Sequence, residues 1–224
     1  MSAPRGLLLD FGSVISVSVF ERHRETEAIL GLRAGSLEWL GPIAPETDAL
    51  WQAMQRDEIT EREYWARRAA ELGTAVGEAG WDMPTLLLRV RPADPGAVVR
   101  AEMRPLIAAA RACGIRLGIL SNELELFYGA EFLARAGLLG QFDVVIDATH
   151  TGVLKPDPRT YAQAIEQLRL AAGEILFVDD QLRNIAGAVR AGMQTQHFEL
   201  RDISGSFAAI RARLRLAIPS GPMP

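Results

Sequence analysis

Short apolar runs that stop at an acidic or small polar residue recur along the chain. Leu7, Leu8 and Leu9 run into Asp10, Ile115 to Leu120 into Ser121-Asn122, Phe142 to Ile146 into Asp147, and Ile175 to Val178 into Asp179-Asp180. A weaker fifth run spans Gln194 to Phe198. Continuous rather than alternating hydrophobicity predicts strands buried on both faces, as in a parallel sheet. Between the runs, apolar residues fall at helical spacing: Leu106, Ala110 and Cys113; Leu126, Ala130 and Leu133; Tyr161, Ile165 and Leu168; Ile185, Ala188 and Val189, stopped by Gly192. A last stripe, Phe207, Ile210 and Leu214, predicts a helix ending before Pro219. Strands alternating with single-stripe helices predict an α/β fold, a doubly wound parallel sheet of Rossmann-like type with helices on both faces.

The stretch from about Val17 to Pro92 breaks this rhythm, because it is helical throughout. Thr60-Glu61-Arg62-Glu63 has the form of a capping box opening a helix on which Trp65, Ala69 and Leu72 share a face. Leu50, Ala53 and Met54 mark a helix before it, and Glu21 to Leu30 another. The expected organisation is a core built from residues 1–16 and 93–224, with residues 17–92 inserted after the first strand as a helical cap. Arg91 to Gly96, which holds two prolines, is the expected return hinge. Trp39, Trp51, Trp65 and Trp81 all lie in the insertion and are expected to form its core rather than a base-stacking surface.

Composition narrows the functions. The 224 residues carry a formal net charge of −4 with no basic block, so no nucleic-acid partner is expected. No run of eighteen apolar residues and no leader pattern occurs, so no membrane partner is expected and the location is read as cytoplasmic. Cys113 is the only cysteine, which excludes an intramolecular disulfide framework and cysteine-held metal; its place on a helical stripe predicts a core thiol. Among 24 basic residues Lys155 alone is lysine, a bias that makes a site requirement for lysine plausible there.

Ligands of an open parallel sheet bind beyond the carboxyl ends of its strands. Asp10, Asp179 and Asp180 would converge there, and like charges at close range need a neutralising cation. All-oxygen ligands suit magnesium. Lys155, in the loop Gly152-Val153-Leu154-Lys155-Pro156-Asp157-Pro158, would reach the same place.

These residues resemble the haloacid dehalogenase superfamily of phosphotransferases and hydrolases. Four segments carry the resemblance in order: LLLDFGSVI at Leu7 to Ile15, GILSN at Gly118 to Asn122, GVLKPDPRTY at Gly152 to Tyr161, and FVDDQLRN at Phe177 to Asn184. Within the superfamily, KPDPRTY and EITEREYWARRAAELG are similar to the sugar-phosphate and epoxide-hydrolase-associated phosphatase branches. The resemblance implies a magnesium-dependent phosphatase acting on a small phosphorylated metabolite. It makes Asp10 the nucleophile that forms an aspartyl-phosphate, and Lys155 the cation that neutralises nucleophile and phosphoryl group. Ser121 and the backbone N–H groups of Phe11 and Asn122 would hold phosphoryl oxygens. Asp179, Asp10 and the Gly12 carbonyl would ligate magnesium, with Asp180 behind them or acting through water. Asn184 would brace the loop.

Gly12 departs from the pattern. Most phosphatases of the superfamily carry an aspartate there, which protonates the leaving oxygen and later activates water. Without it, rates are expected to depend steeply on the leaving group and Gly12→Asp to flatten that dependence, unless Gly12 has a positive φ that aspartate tolerates poorly or a cap residue such as Glu21 or His23 already supplies the proton. Two further readings stay open: a 2-haloacid dehalogenase, which magnesium dependence would separate, and a weakened member that binds a phosphorylated ligand without turnover. The cap residues Ser18, Glu21, His23 and Arg24 form no decodable specificity motif, and the oligomeric state is not encoded in any pattern. His23, His150 and His197 are too scattered for a metal site or triad, no GxSxG or GxGxxG occurs, and Arg211, Arg213 and Arg215 read as a solvated helix face.

Overall fold

The computed structural model describes residues 3–217. Five strands, β1 (Gly6–Leu9), β2 (Arg116–Ser121), β3 (Val144–Asp147), β4 (Ile175–Asp179) and β5 (Gln194–His197), form one sheet in the order β3-β2-β1-β4-β5. Every pairing is parallel, and Leu9 lies opposite both Ile119 and Val178. β1 is therefore central, and Asp10 leaves the sheet at its middle. The period of two along a strand divides the apolar runs between two cores. Leu7, Leu9, Leu117, Ile119, Leu176 and Val178 pack on one face, and Leu8, Leu120, Ile146 and Phe177 on the other.

The first face is covered by α5 (Met103–Ala112) and the C-terminal α11 (Ile203–Arg213), the second by α9 (Pro158–Leu168) and α10 (Leu182–Arg190). The expected stop of the last helix at Pro219 lies outside the described residues. Three stripe positions depart from expectation. α5 ends at Ala112, so Cys113 is its C-terminal cap and lies exposed rather than in the core, beside Gly114 at φ 72°. The stripe through Leu126 is split into α6 (Leu124–Tyr128) and α7 (Ala130–Ala136) by Gly129 at φ 78°, which rotates Leu126 to the surface. Val189 is 56 % exposed, because Gly187 lets the helix sit directly against the Tyr161 ring and the buried face runs through Asn184, Gly187 and Ala188.

Between β1 and α5 lie α1 (His23–Ile29), α2 (Ala49–Gln55), α3 (Glu61–Ala75) and α4 (Met83–Val90). Thr60 and Glu63 make the reciprocal capping box of α3. Trp39, Trp51, Trp65 and Trp81 are all buried in a core of this stretch's own, with Phe20 at its centre and four aromatic ring centroids 5.3–6.4 Å away. Buried Asp48 ties that core together: it caps α2 at the Trp51 N–H (2.8 Å) and accepts from the Tyr64 hydroxyl (2.8 Å) and Arg68 (2.5 Å). The chain leaves and re-enters the sheet layer side by side, with Ser16 and Val99 bridged antiparallel, Val17 N–H bonded to Val98 and Arg100 N–H to Ile15. A short α8 (Ala148–Thr151) follows β3. No described helix is long and apolar enough to cross a membrane.

Candidate active site

Beyond Asp10 the chain makes a wide turn, Phe11–Ile15, closed by the Ser16 N–H on the Phe11 carbonyl oxygen (2.9 Å) and non-helical at Gly12 and Ser13. Gly12 has φ −62°, ordinary for any residue, and the left-handed conformation falls instead on Ser13 at φ 64°. The strain that a positive φ would impose at position 12 is thus absent, and a Cβ added to Gly12 would meet nothing closer than Asp10 Oδ2 at 3.8 Å. Arg100 holds the turn, donating from Nε (3.0 Å) and Nη2 (2.6 Å) to the Ser13 carbonyl oxygen while pairing with Glu21 at 2.5 Å.

The ends of β1, β4 and the loop after α8 bring Asp10, Asp179 and Lys155 into contact. Lys155 Nζ lies 2.8 Å from Asp10 Oδ1 and 2.7 Å from Asp179 Oδ2, and the lysine is 2 % exposed. Asp179 is saturated on its other side, where Oδ1 accepts from the Gln181 N–H (2.8 Å) and Asn184 Nδ2 (3.0 Å). Asn184 braces the loop as expected, by bonding the aspartate itself. Asp180 is buried, and among the described residues nothing hydrogen-bonds its carboxylate. One carboxylate oxygen from each of Asp10, Asp179 and Asp180 lies within 4.8 Å of the others.

The protonation of the cluster follows from this crowding. Burial, resisted by Lys155 and reinforced by Asp179 and Glu61, pushes the Asp10 carboxyl up to about 7. Burial together with Asp179 and Asp10 pushes Asp180 well above the carboxylate range. Burial acts against the charge of Lys155, but Asp10 and Asp179 outweigh it and the ammonium is held beyond its usual range. One ammonium is shared by two carboxylates, while the third has no partner. An additional cation bound through oxygen ligands fits this donor set, and the unpaired Asp180 oxygens are where it is needed.

Ser121 and Asn122 stand at the end of β2, across the same cleft from Phe11 and Gly12. Asn122 is a junction: its Oδ1 accepts from the Lys155 N–H (2.7 Å) and its Nδ2 donates to Glu61 Oε2 (2.6 Å) at the start of α3. Arg183 reaches from α10 to the Met54 (2.6 Å) and Lys155 (3.3 Å) carbonyls, and Arg62 of α3 pairs with buried Glu123 at 2.7 Å. The helical insertion thus closes over the strand ends, leaving a narrow cleft open to solvent at its mouth. Its floor is Asp10, Gly12, Ser121 and Asp180, and its roof Phe20, Trp51, Trp65 and Leu87. Among the described residues no arginine or lysine side chain lines the cleft.

Of the four cap residues singled out in the sequence, only Ser18 lines the cleft. Arg24 pairs with Glu27. Glu21 is bound by Arg100 and Ser18, contacts that overcome the opposing effect of burial and hold its carboxyl below the usual range. His23 packs edge-on against Trp39 (4.4 Å), and burial lowers its pKa to about 4. Neither is an acid for this site. His150 pairs with Glu125 at the surface, and His197 faces the Asp180 carbonyl oxygen (3.0 Å). Sequence reasoning missed Glu61 and Tyr128, both in the cleft wall. Glu61 was legible only as the first residue after a helix cap, and nothing near Tyr128 marks it.

Comparison with known proteins gives the family. A family model described as haloacid dehalogenase-like hydrolase matches residues 6–192. The phosphatase MT3486 of Mycobacterium tuberculosis is 34 % identical over 112 residues, covering 46 % of this chain and 52 % of that protein, so the match spans about half of the relative's length. Glyceraldehyde 3-phosphate phosphatase of Methanopyrus kandleri is 30 % identical over 169 residues, 66 % of this chain and 70 % of its own. (S)-2-haloacid dehalogenase of Xanthobacter autotrophicus is 30 % identical over 138 residues, 58 % and 51 % of the two chains. Among solved structures, the magnesium-bound putative hydrolase YfnB of Bacillus subtilis shares the fold, with TM-score 0.63, 19 % identity, and coverage of 87 % of this chain and 86 % of that one.

Proposed function

The chain belongs to the haloacid dehalogenase-like hydrolases, and we propose that within them it is a magnesium-dependent phosphatase of a small organic phosphate monoester. The observation that carries this reading is the acidic triad. Asp10, Asp179 and Asp180 are buried together with one shared ammonium, and Asp180 has no partner among the described residues. Displacing halide from carbon creates no charge that calls for a divalent cation beside the nucleophile. A dianionic phosphoryl group does, which is why the triad favours phosphate esters over the dehalogenase reading.

Asp10, Asp180 and the Gly12 carbonyl would hold the ion. Asp179, whose oxygens are occupied by Lys155, Asn184 and the Gln181 N–H, is better placed to orient Lys155 than to ligate, the reverse of the order expected from sequence. Magnesium, when bound, neutralises charge on the transferring group. Asp10 attacks phosphorus to form an aspartyl-phosphate, and Ser121 with the N–H groups of Phe11 and Asn122 receives the phosphoryl oxygens. Lys155, fixed by two carboxylates and by Asn122 at its backbone, holds the nucleophile in line. The apolar roof, with the Glu61 and Glu123 carboxylates and no cationic side chain in the lining among the described residues, suits a leaving alcohol that bears no second anion.

The test is phosphate release from a panel of monoesters with and without magnesium, in wild type and Asp10→Asn. Release that requires both the ion and Asp10 supports the reading. Release by Asp10→Asn, or halide release unaffected by chelation, rejects it.

A further inference from the structure

The cleft has a nucleophile, a cation site and phosphoryl-binding groups, but the turn residue Gly12 offers no proton for the leaving oxygen. Each ionisable group that lines the cleft can be followed in turn. Asp10 is the nucleophile and Asp180 belongs to the cation site. Glu123 is 3 % exposed: its Oε1 is paired with Arg62, and its Oε2, although without a hydrogen-bond partner, is fully buried and so not presented to a substrate in the cleft. The Tyr128 hydroxyl is bonded to Ser16 Oγ (3.3 Å) and pushed by burial above its ordinary range, which makes it a poor donor at neutral pH. Glu61 remains. It enters from the cap, opposite the strand ends, and only Oε2 is engaged, by Asn122. No described group hydrogen-bonds Oε1. It lines the same cleft as Asp10 and Asp180, which places the carboxyl in the pocket of the reacting atoms.

We propose that Glu61, carried by the first turn of α3, is the general acid and base of this active site, replacing the acid absent at Gly12. This rests on the phosphatase reading above. In the first step an Asp10 oxygen bonds to phosphorus, the bond from phosphorus to the ester oxygen breaks with its electron pair on that oxygen, and Glu61 Oε1 delivers its proton there, releasing the alcohol. In the second, water attacks phosphorus and gives a proton to the Glu61 carboxylate. The Asp10–phosphorus bond then breaks with its electrons returning to Asp10, and phosphate leaves. Asn122 aims the carboxyl by holding Oε2. The acid is thus carried by the inserted helices and not by the strand ends that carry the nucleophile. The charged groups facing Glu61 are Asp10, Asp180 and Lys155 from the core, and Glu123 with its partner Arg62.

The experiment compares kcat/KM for an alkyl phosphate and for 4-nitrophenyl phosphate, whose leaving group needs no proton. kcat/KM covers only the steps through release of the alcohol, so it isolates the acid role from the later base role. In wild type the two esters should differ modestly. In Glu61→Gln, which still accepts the Asn122 bond, the alkyl ester should lose about a hundredfold or more and the nitrophenyl ester less than about tenfold. Adding Gly12→Asp to Glu61→Gln should recover most of the alkyl activity, since a Cβ at position 12 makes only an ordinary contact, 3.8 Å from Asp10 Oδ2. An equal loss on both esters would reduce Glu61 to a positioning residue and overturn the proposal. So would a wild type that is already steeply selective for the nitrophenyl ester, a result that does not depend on any variant folding. Wild type inert toward every phosphate ester would instead remove the phosphatase reading itself, and this inference with it.

Discussion

Arg100 donates two hydrogen bonds to the carbonyl oxygen of Ser13, the residue of the nucleophile turn whose φ is 64°. A serine in the left-handed region costs about 1 kcal/mol or more, and the bonds from Arg100 offset that cost where the turn must present Asp10 and the Gly12 carbonyl. The same guanidinium neutralises Glu21 at the start of the cap. Arg100→Met should therefore destabilise by about 3–5 kcal/mol, because it leaves Glu21 part-buried without its partner and the turn without its brace. Chemical denaturation measures this, and a loss below about 1 kcal/mol would show that the turn holds itself.

Lys155→Arg should lose at least about a hundredfold in kcat although the charge is kept. The ammonium is wedged between Asp10 and Asp179 at 2.8 and 2.7 Å, in a site with no room for a planar guanidinium. Steady-state phosphate release is the measurement; near-full activity would mean that the single lysine reflects composition alone.

The buried carboxylates give magnesium binding a pH signature. Asp10 and Asp180 have raised pKa values, Asp10 from 3.8 to about 7, so without metal the folded state keeps protons that the unfolded state has lost. Stability of the metal-free protein should then fall as pH rises through this window, and magnesium should reverse the fall by taking the protons' place. The rise in Tm on adding magnesium is expected to be larger near about pH 8 than near about pH 5. Asp180→Asn should abolish most of the rise. A shift independent of pH, or intact in that variant, contradicts the assignment.

His23 works in the opposite direction. Its pKa is lowered from 6.5 to about 4, so the folded state excludes a proton that the unfolded state binds. The stability this contributes is complete above about pH 6.5 and is lost as pH falls toward 4, at about 1.4 kcal/mol per unit. Both ring nitrogens are buried without a hydrogen-bond partner, beside Trp39 and Phe20. His23→Phe should flatten the acid limb of the stability profile by about 3 kcal/mol. Denaturation midpoints between pH 4 and 7 decide it, and an unchanged limb would place the acid sensitivity elsewhere.

Much of the site was legible along the chain because it sits where strands end. A continuous apolar run forces burial on both faces, and the first polar residue after it must emerge at the sheet's edge. Asp10, Ser121, Asp147 and Asp179 follow from that rule alone, and so does the buried parallel sheet. The capping box at Thr60 and the tryptophan core of the insertion were equally local, because helix termini and apolar stripes are set by residues a few positions apart.

What pattern did not decide was every relation between distant segments. Asp179 and Asp180 are neighbours in sequence with the same chemistry, and only the approach of Lys155 and Asn184 saturates one and leaves the other bare. Glu21 and Glu61 were equivalent as sequence, both acids near the start of a cap helix. Arg100, far along the chain, withdraws the first, while Asn122 draws the second into the cleft. Helical periodicity placed Cys113 and Val189 on buried stripes, whereas a helix end at Ala112 and the close contact of Gly187 with Tyr161 put them outside. Local pattern fixes which atoms are present at a strand end or helix turn; which of them are left free for chemistry depends on partners that only the folded chain brings within hydrogen-bonding distance.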